Sequence, residues 1–245
     1  MKPLYFLLIA CVCLFANCSP ENGKRASASS PAVLVFYKTA GFYHKSIPAG
    51  LTAIQKLGKE NGFQVDTTNN AAFFVPDSLR HYKAVLFLST TQDVLTDAQQ
   101  GAFEQFIKAG GGFVGVHAAT DTEYNWPWYN QLVGAYFVSH PEVQNATVQV
   151  VDKKHISTSF LPDRWERKDE WYNFKNINPN IKVLATLDES TYKGGKNGAT
   201  HPIAWYHTFD GGKAFYTAGG HTDESFQEPL FLRHLLGGIQ YVLQD

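Results

Sequence analysis

The chain has 245 residues, with 21 Lys and Arg against 22 Asp and Glu and a formal net charge of −1. That near-neutral balance, with no basic stripe, argues against nucleic acid as a partner. All three cysteines, Cys11, Cys13 and Cys18, lie near the start, so the rest of the chain offers no disulfide, no thiolate zinc site and no cysteine nucleophile.

Lys2, an apolar run over residues 4–16 and a polar break at Asn17 have the layout of a secretory signal, too short to span a bilayer comfortably. A plain N-terminal anchor helix is the alternative. Phe15-Ala16-Asn17-Cys18 resembles a bacterial lipobox, which implies cleavage of residues 1–17 and acylation of Cys18. Residues 18–31 are small and polar and read as a flexible tether. The expected location is therefore the cell envelope, periplasm or cell surface, with a lipid anchor in the membrane.

The folded domain is expected over residues 32–245. Residues 32–37 form a β-rich run, and Leu51, Ile54 and Leu57 give helical spacing over 47–61, closed by Gly62. Strands follow at 63–66 and 84–89. Thr96 and Asp97 cap a helix that ends at Gly110, and 113–116 is a buried strand leading into His117. This alternation implies an α/β fold whose mostly parallel central sheet is covered by helices on both faces. Beyond Trp126 the pattern is more β-like, with strands expected at 146–151, 182–187, 202–206 and 213–217 as an antiparallel extension. A terminal helix is expected at 229–243.

Ligands of open α/β sheets bind outside the carboxyl ends of the strands. Four segments bring chemistry there: 41–46 with His44, 115–121 with His117 and Asp121, 169–172 with Glu170, and 217–224 with His221. If their strands are neighbours, His44, His117 and His221 converge, with Asp121 and Glu170 nearby. Imidazole and carboxylate serve there in proton transfer or hold a divalent metal such as zinc. No spacing is a local metal signature, so the metal reading depends on the fold.

Plainer roles stand beside these. His44 could cap the following helix, and His117 could be a buried structural residue. Glu170 could pair on the surface with Arg164, Arg167 or Lys168, and His221 could be an ordinary loop residue. Tyr43, Trp126, Trp171 and Tyr172 are candidates to stack on a sugar, though core packing is the commoner fate of such rings. His140 is a second-line candidate, His201 reads as a loop or structural residue, and His81, His155, His207 and His234 read as ordinary.

Six stretches in order carry a family resemblance: Gly41-Phe-Tyr-His44, residues 110–121, Asp169-Glu170-Trp171-Tyr172, Pro202-Ile-Ala-Trp205, residues 215–221 and residues 231–239. Together they resemble the ThuA-like family, named for trehalose utilisation, across residues 32–245. The resemblance implies the flavodoxin-like fold of class I glutamine amidotransferases. There the strand-to-helix turn carries a cysteine nucleophile; here it presents His117, which excludes that glutaminase chemistry.

The resemblance further implies carbohydrate metabolism, with relatives linked to trehalose and to sugars oxidised at carbon 3. The expected function is an enzyme acting on a glycoside or 3-keto-sugar by histidine and carboxylate acid–base or metal-assisted chemistry. His117 is expected as base or ligand, His44 and His221 as its partners, and Glu170 and Asp121 as acid or orienting groups. A non-catalytic sugar-binding lipoprotein and a metal-dependent hydrolase are the alternatives.

Overall fold

Short apolar runs, buried at nearly every residue, build the centre of the sheet. In the computed structural model, which describes residues 1, 3 and 30–244, the chain runs β1 (Ala32–Phe36), α1 (Ile47–Asn61), β2 (Gln64–Thr68), α2 (Pro76–Leu79), β3 (Ala84–Leu88), α3 (Asp97–Lys108) and β4 (Gly112–Val116). It continues with α4 (Pro127–Val133), β5 (Tyr136–Ser139), β6 (Gln144–Val150), β7 (Arg164–Asp169), β8 (Asn173–Lys175) and β9 (Lys182–Leu187), and ends with β10 (Pro202–Phe209), β11 (Gly212–Thr217) and α5 (Pro229–Leu243). Cys18, the tether up to residue 29 and the expected signal, apart from residues 1 and 3, lie outside the described residues. Among the described residues no helix is long and apolar enough to cross a membrane.

The sheet order is β2-β1-β3-β4-β11-β10-β9-β6-β7. The first five strands are parallel and the rest antiparallel. The fold is thus α/β, with a parallel core of the glutamine amidotransferase-like type and an antiparallel extension. β3 and β4 are buried at every residue, as strands covered on both faces must be. Alternate side chains serve opposite layers: Phe87 stacks on Phe103 of α3 at 5.5 Å, while Leu88 lies against α1 at Gly50. Phe36, Phe74 and Phe113 complete an aromatic core around Phe87. Burying each such ring is worth roughly 1.5–3 kcal/mol.

Local signals start and stop the helices. α1 has Pro48 in its first turn and ends at Gly62 in the left-handed conformation, φ 76°. α3 opens with a capping box formed by Thr96 and Gln99. α5 buries Phe231, Leu235, Ile239 and Val242 against β4 and β11.

Five elements arise that the pattern of the sequence does not announce as strands or helices: β7, the small β5–β8 pair, and the short α2 and α4. In β7 the buried face carries Trp165, Arg167 and Asp169, so polar residues mask the alternation. Its direction matters. Reversing at each antiparallel pairing from β11 through β10, β9 and β6, the carboxyl end of β7 falls at the same sheet edge as those of β1, β4 and β11. The extension also curls back, because Asp169 at the end of β7 accepts hydrogen bonds from Gly220 and His221 beyond β11.

Candidate metal centre and sugar pocket

His117 follows β4 directly and has φ +50°, a left-handed conformation that costs a non-glycine residue about 1 kcal/mol or more. The turn is held from within: the Tyr216 hydroxyl donates to the His117 carbonyl at 2.7 Å. The His117 Nδ1 is 2.8 Å from the Ala218 carbonyl. A carbonyl only accepts, so Nδ1 carries a proton.

The His117 Nε2 faces two groups. It is 3.2 Å from His221 Nδ1 and 3.5 Å from Glu170 Oε2. His221 Nδ1 and Glu170 Oε2 are themselves 3.1 Å apart, so the three atoms form a nearly equilateral triangle. His44, almost fully buried, sets its ring perpendicular to those of His117 and His221, with centroids 4.7 and 5.3 Å away. One ligand atom from each of the four residues lies within 4.8 Å of all the others. The His44 Nδ1 is buried without a hydrogen-bond partner.

The electrostatics follow from this crowding. Burial, with the adjacent His117 and His221, pushes His44 down to about 2, so its ring is neutral. Burial alone would raise Glu170, but hydrogen bonds and charge from His117 and His221 outweigh it and hold the carboxyl well below the usual range. Burial alone would lower His221, yet the Glu170 carboxylate raises it.

Asp169 fixes the loop that carries His221. Its fully buried carboxylate accepts from the N–H groups of Gly220 at 2.9 Å and His221 at 3.1 Å, and from the Ser225 hydroxyl at 2.8 Å. Gly220, at φ +115°, supplies the turn that a side chain would strain. Arg167 lies between Asp169 and Glu228, at 3.4 and 2.8 Å, and does not reach Glu170.

The cluster opens into a cavity of about 240 Å³ lined by Phe42, His44, Asp121, Phe137, His140, Glu170 and Tyr172. The structure thus gathers His44, His117, His221 and Glu170, and places Asp121 on the cavity wall outside that group. Asp121 accepts hydrogen bonds from Tyr124 at 2.6 Å and Gln92 at 3.2 Å, and burial raises its carboxyl despite them. Tyr172 lines the cavity with its ring 4.3 Å from that of His117.

Three expected stacking rings lie elsewhere. Trp171 is fully buried and its indole donates to the Gln144 carbonyl. Trp126 is stacked on Trp128 and Tyr129 and donates to Glu104. Both spend their faces and their N–H on the protein. Tyr43 is half exposed but outside the cavity lining.

The plainer roles are also corrected for two residues. Ser46, not His44, occupies the N-cap position of α1, and its hydroxyl donates to the Gly220 carbonyl rather than capping the helix. Glu170 is buried among histidines rather than paired with a surface arginine or lysine.

His140 takes a larger part than its second-line place implies: its Nδ1 is 3.0 Å from Glu170 Oε1. No local signal marks it, because β5 and β8 bring it there. Phe42 and Phe137 were equally unmarked. His201 is structural, buried with Nε2 2.7 Å from the Tyr172 carbonyl and Nδ1 2.8 Å from Glu189.

A family model described as ThuA, trehalose utilisation, matches residues 32–242. A ThuA-like protein from Bacteroides uniformis has a similar structure, with 26% identity and TM-score 0.76, covering 90% of this chain and 94% of that one. A ThuA-like protein from Parabacteroides merdae gives 20% identity and TM-score 0.74, covering 88% and 90%. The fold also recurs within a β-galactosidase from Bacillus circulans, at 14% identity and TM-score 0.54, over 88% of this chain and 31% of that one. No curated protein matches the chain.

Proposed function

Because the chain belongs to the ThuA family of trehalose utilisation, we propose that it is a cell-envelope enzyme of carbohydrate metabolism acting on a glycoside or 3-keto-sugar, with a divalent metal such as zinc held by His44, His117, His221 and Glu170. The observation that carries this reading is the triangle of 3.1, 3.2 and 3.5 Å between His221 Nδ1, Glu170 Oε2 and His117 Nε2. Ligands at 2.0–2.1 Å around a tetrahedral ion stand about 3.3–3.4 Å apart. The donor types agree: imidazole and carboxylate are ligands for such an ion, His44 is held neutral and Glu170 is held ionised. The buried, neutral ring of His44 supports the same reading, with a nitrogen within 4.8 Å of the other three ligand atoms. The Nδ1–H of His117 donates to the Ala218 carbonyl, the kind of hydrogen bond that fixes the ring of a ligating histidine.

When bound, such an ion polarises a carbonyl or hydroxyl oxygen of the substrate. The chain's own residues bind and orient the sugar. The cavity, at about 240 Å³, is below the ~300 Å³ at which pockets for drug-sized ligands begin, so it suits one sugar ring. Phe42, Phe137 and Tyr172 offer apolar faces to the C–H side of that ring, and Asp121 accepts from a hydroxyl. A ketone on the ring makes the neighbouring C–H acidic enough for a positioned base to remove its proton. The signal and Cys18 read from the sequence would place this chemistry at the membrane surface.

Proton NMR of the purified chain in deuterated water, with disaccharides and their 3-keto derivatives, tests the reading. Exchange or turnover of the keto-sugars, abolished by a chelator and restored by zinc, is expected. Saturable binding without exchange or turnover would instead make the chain a sugar-binding accessory protein.

A further inference from the structure

Resting on that reading of the site, we infer that His140, paired with Glu170, is the catalytic base that exchanges a proton with the bound sugar. Glu170 divides its two oxygens. Oε2 faces His117 and His221 at 3.5 and 3.1 Å, whereas Oε1 faces His140 Nδ1 at 3.0 Å. The same Nδ1 is 3.0 Å from the Pro141 carbonyl. Both neighbours accept, so Nδ1 carries a proton and Nε2 is the nitrogen left to exchange one with a substrate. This is the arrangement by which a carboxylate sets the tautomer of a histidine base.

His140 is also the most exposed imidazole at the site. His117 is fully buried and His44 nearly so, and His221 Nδ1 is turned to Glu170. The His140 side chain is 43% exposed and lines the cavity. Its ring is near-parallel to those of Phe137, at 5.9 Å and 28°, and Tyr172, at 6.0 Å and 27°, which limits its rotation. The proton on the carbon beside the ketone moves to Nε2, and the C–H electron pair shifts through the new C=C to the keto oxygen as an enolate. The imidazolium so formed keeps its Nδ1–H on Glu170, and return of the proton to the same carbon restores the sugar. No oxidant or reductant is needed.

The test uses the purified full chain, zinc-loaded, with a 3-keto-disaccharide in deuterated water. His140→Ala is expected to lower exchange by at least about 100-fold, the scale of general-base catalysis. Added imidazole should restore it saturably, because the vacated position opens to the cavity. Zinc content should stay at the unsubstituted level. Nitrogen-15 shifts of His140 should show the Nδ1–H tautomer in the unsubstituted chain.

Exchange within about threefold of the unsubstituted chain, a loss that imidazole does not rescue, or an Nε2–H tautomer overturns the inference alone. Absence of exchange in the unsubstituted chain overturns the reading of the site and the inference with it.

Discussion

Asp169 and Glu170 are adjacent in the chain, and their carboxylates serve different partners. Asp169 is fully buried and accepts from the backbone of Gly220 and His221, while Glu170 turns both oxygens to histidine rings. The first carboxylate builds the loop and the second builds the site. Asp169→Ala leaves the N–H groups of Gly220 and His221 and the Ser225 hydroxyl without their acceptor, while Arg167 keeps Glu228. Each buried polar group left unsatisfied costs about 1–3 kcal/mol. Guanidinium denaturation of the metal-free chain should show that loss, and a smaller one for Glu170→Gln.

The left-handed backbone of His117 gives a second prediction. Replacement by Ala and by Gly removes the same imidazole, but only Gly accepts φ +50° without strain. His117→Gly should therefore be more stable than His117→Ala by about 1 kcal/mol, read as a higher thermal midpoint. The usual order, in which Gly is the less stable, would show that the turn is not strained.

A third prediction concerns pH. His234 is buried under Trp165 and Phe215, and burial pushes it down to about 4 although its Nδ1–H donates to the Ser157 carbonyl. The unfolded chain takes up a proton near 6.5 and the folded chain only near 4. The stability linked to this group is complete above about pH 6.5 and is lost as pH falls toward 4, by roughly 3 kcal/mol in all. His44, lowered to about 2, adds a loss of the same sign. Denaturation midpoints measured from pH 7 to 4.5 should fall, and His234→Asn should flatten the slope while leaving the share due to His44.

The parts of this fold with short-range causes could be read from the sequence. Gly62 closes α1, Thr96 and Asp97 open α3, and the apolar runs of β3 and β4 announce buried strands. The positions of His44, His117 and His221 after strand ends follow from the same reasoning. The rest depends on long-range geometry. Arg167 and Asp169 point inward in β7, so its alternation looks polar, and only the curl of the extension brings Glu170 to the histidines. His140 arrives through the β5–β8 pair, whose register is irregular after Phe137. Trp126 and Trp171 show the limit of composition: an abundance of aromatic rings does not say which faces stay open.

The most direct test of the account is titration of the metal-stripped full chain with Co(II), followed by visible absorption and calorimetry. We predict one ion per chain with the intense visible bands of a four-coordinate site, tenfold or greater weakening in Glu170→Gln, and loss in His117→Ala, on the scale at which ligand-sphere changes act. Absence of saturable binding, or equal binding in all three proteins, would contradict a metal centre built from His44, His117, His221 and Glu170.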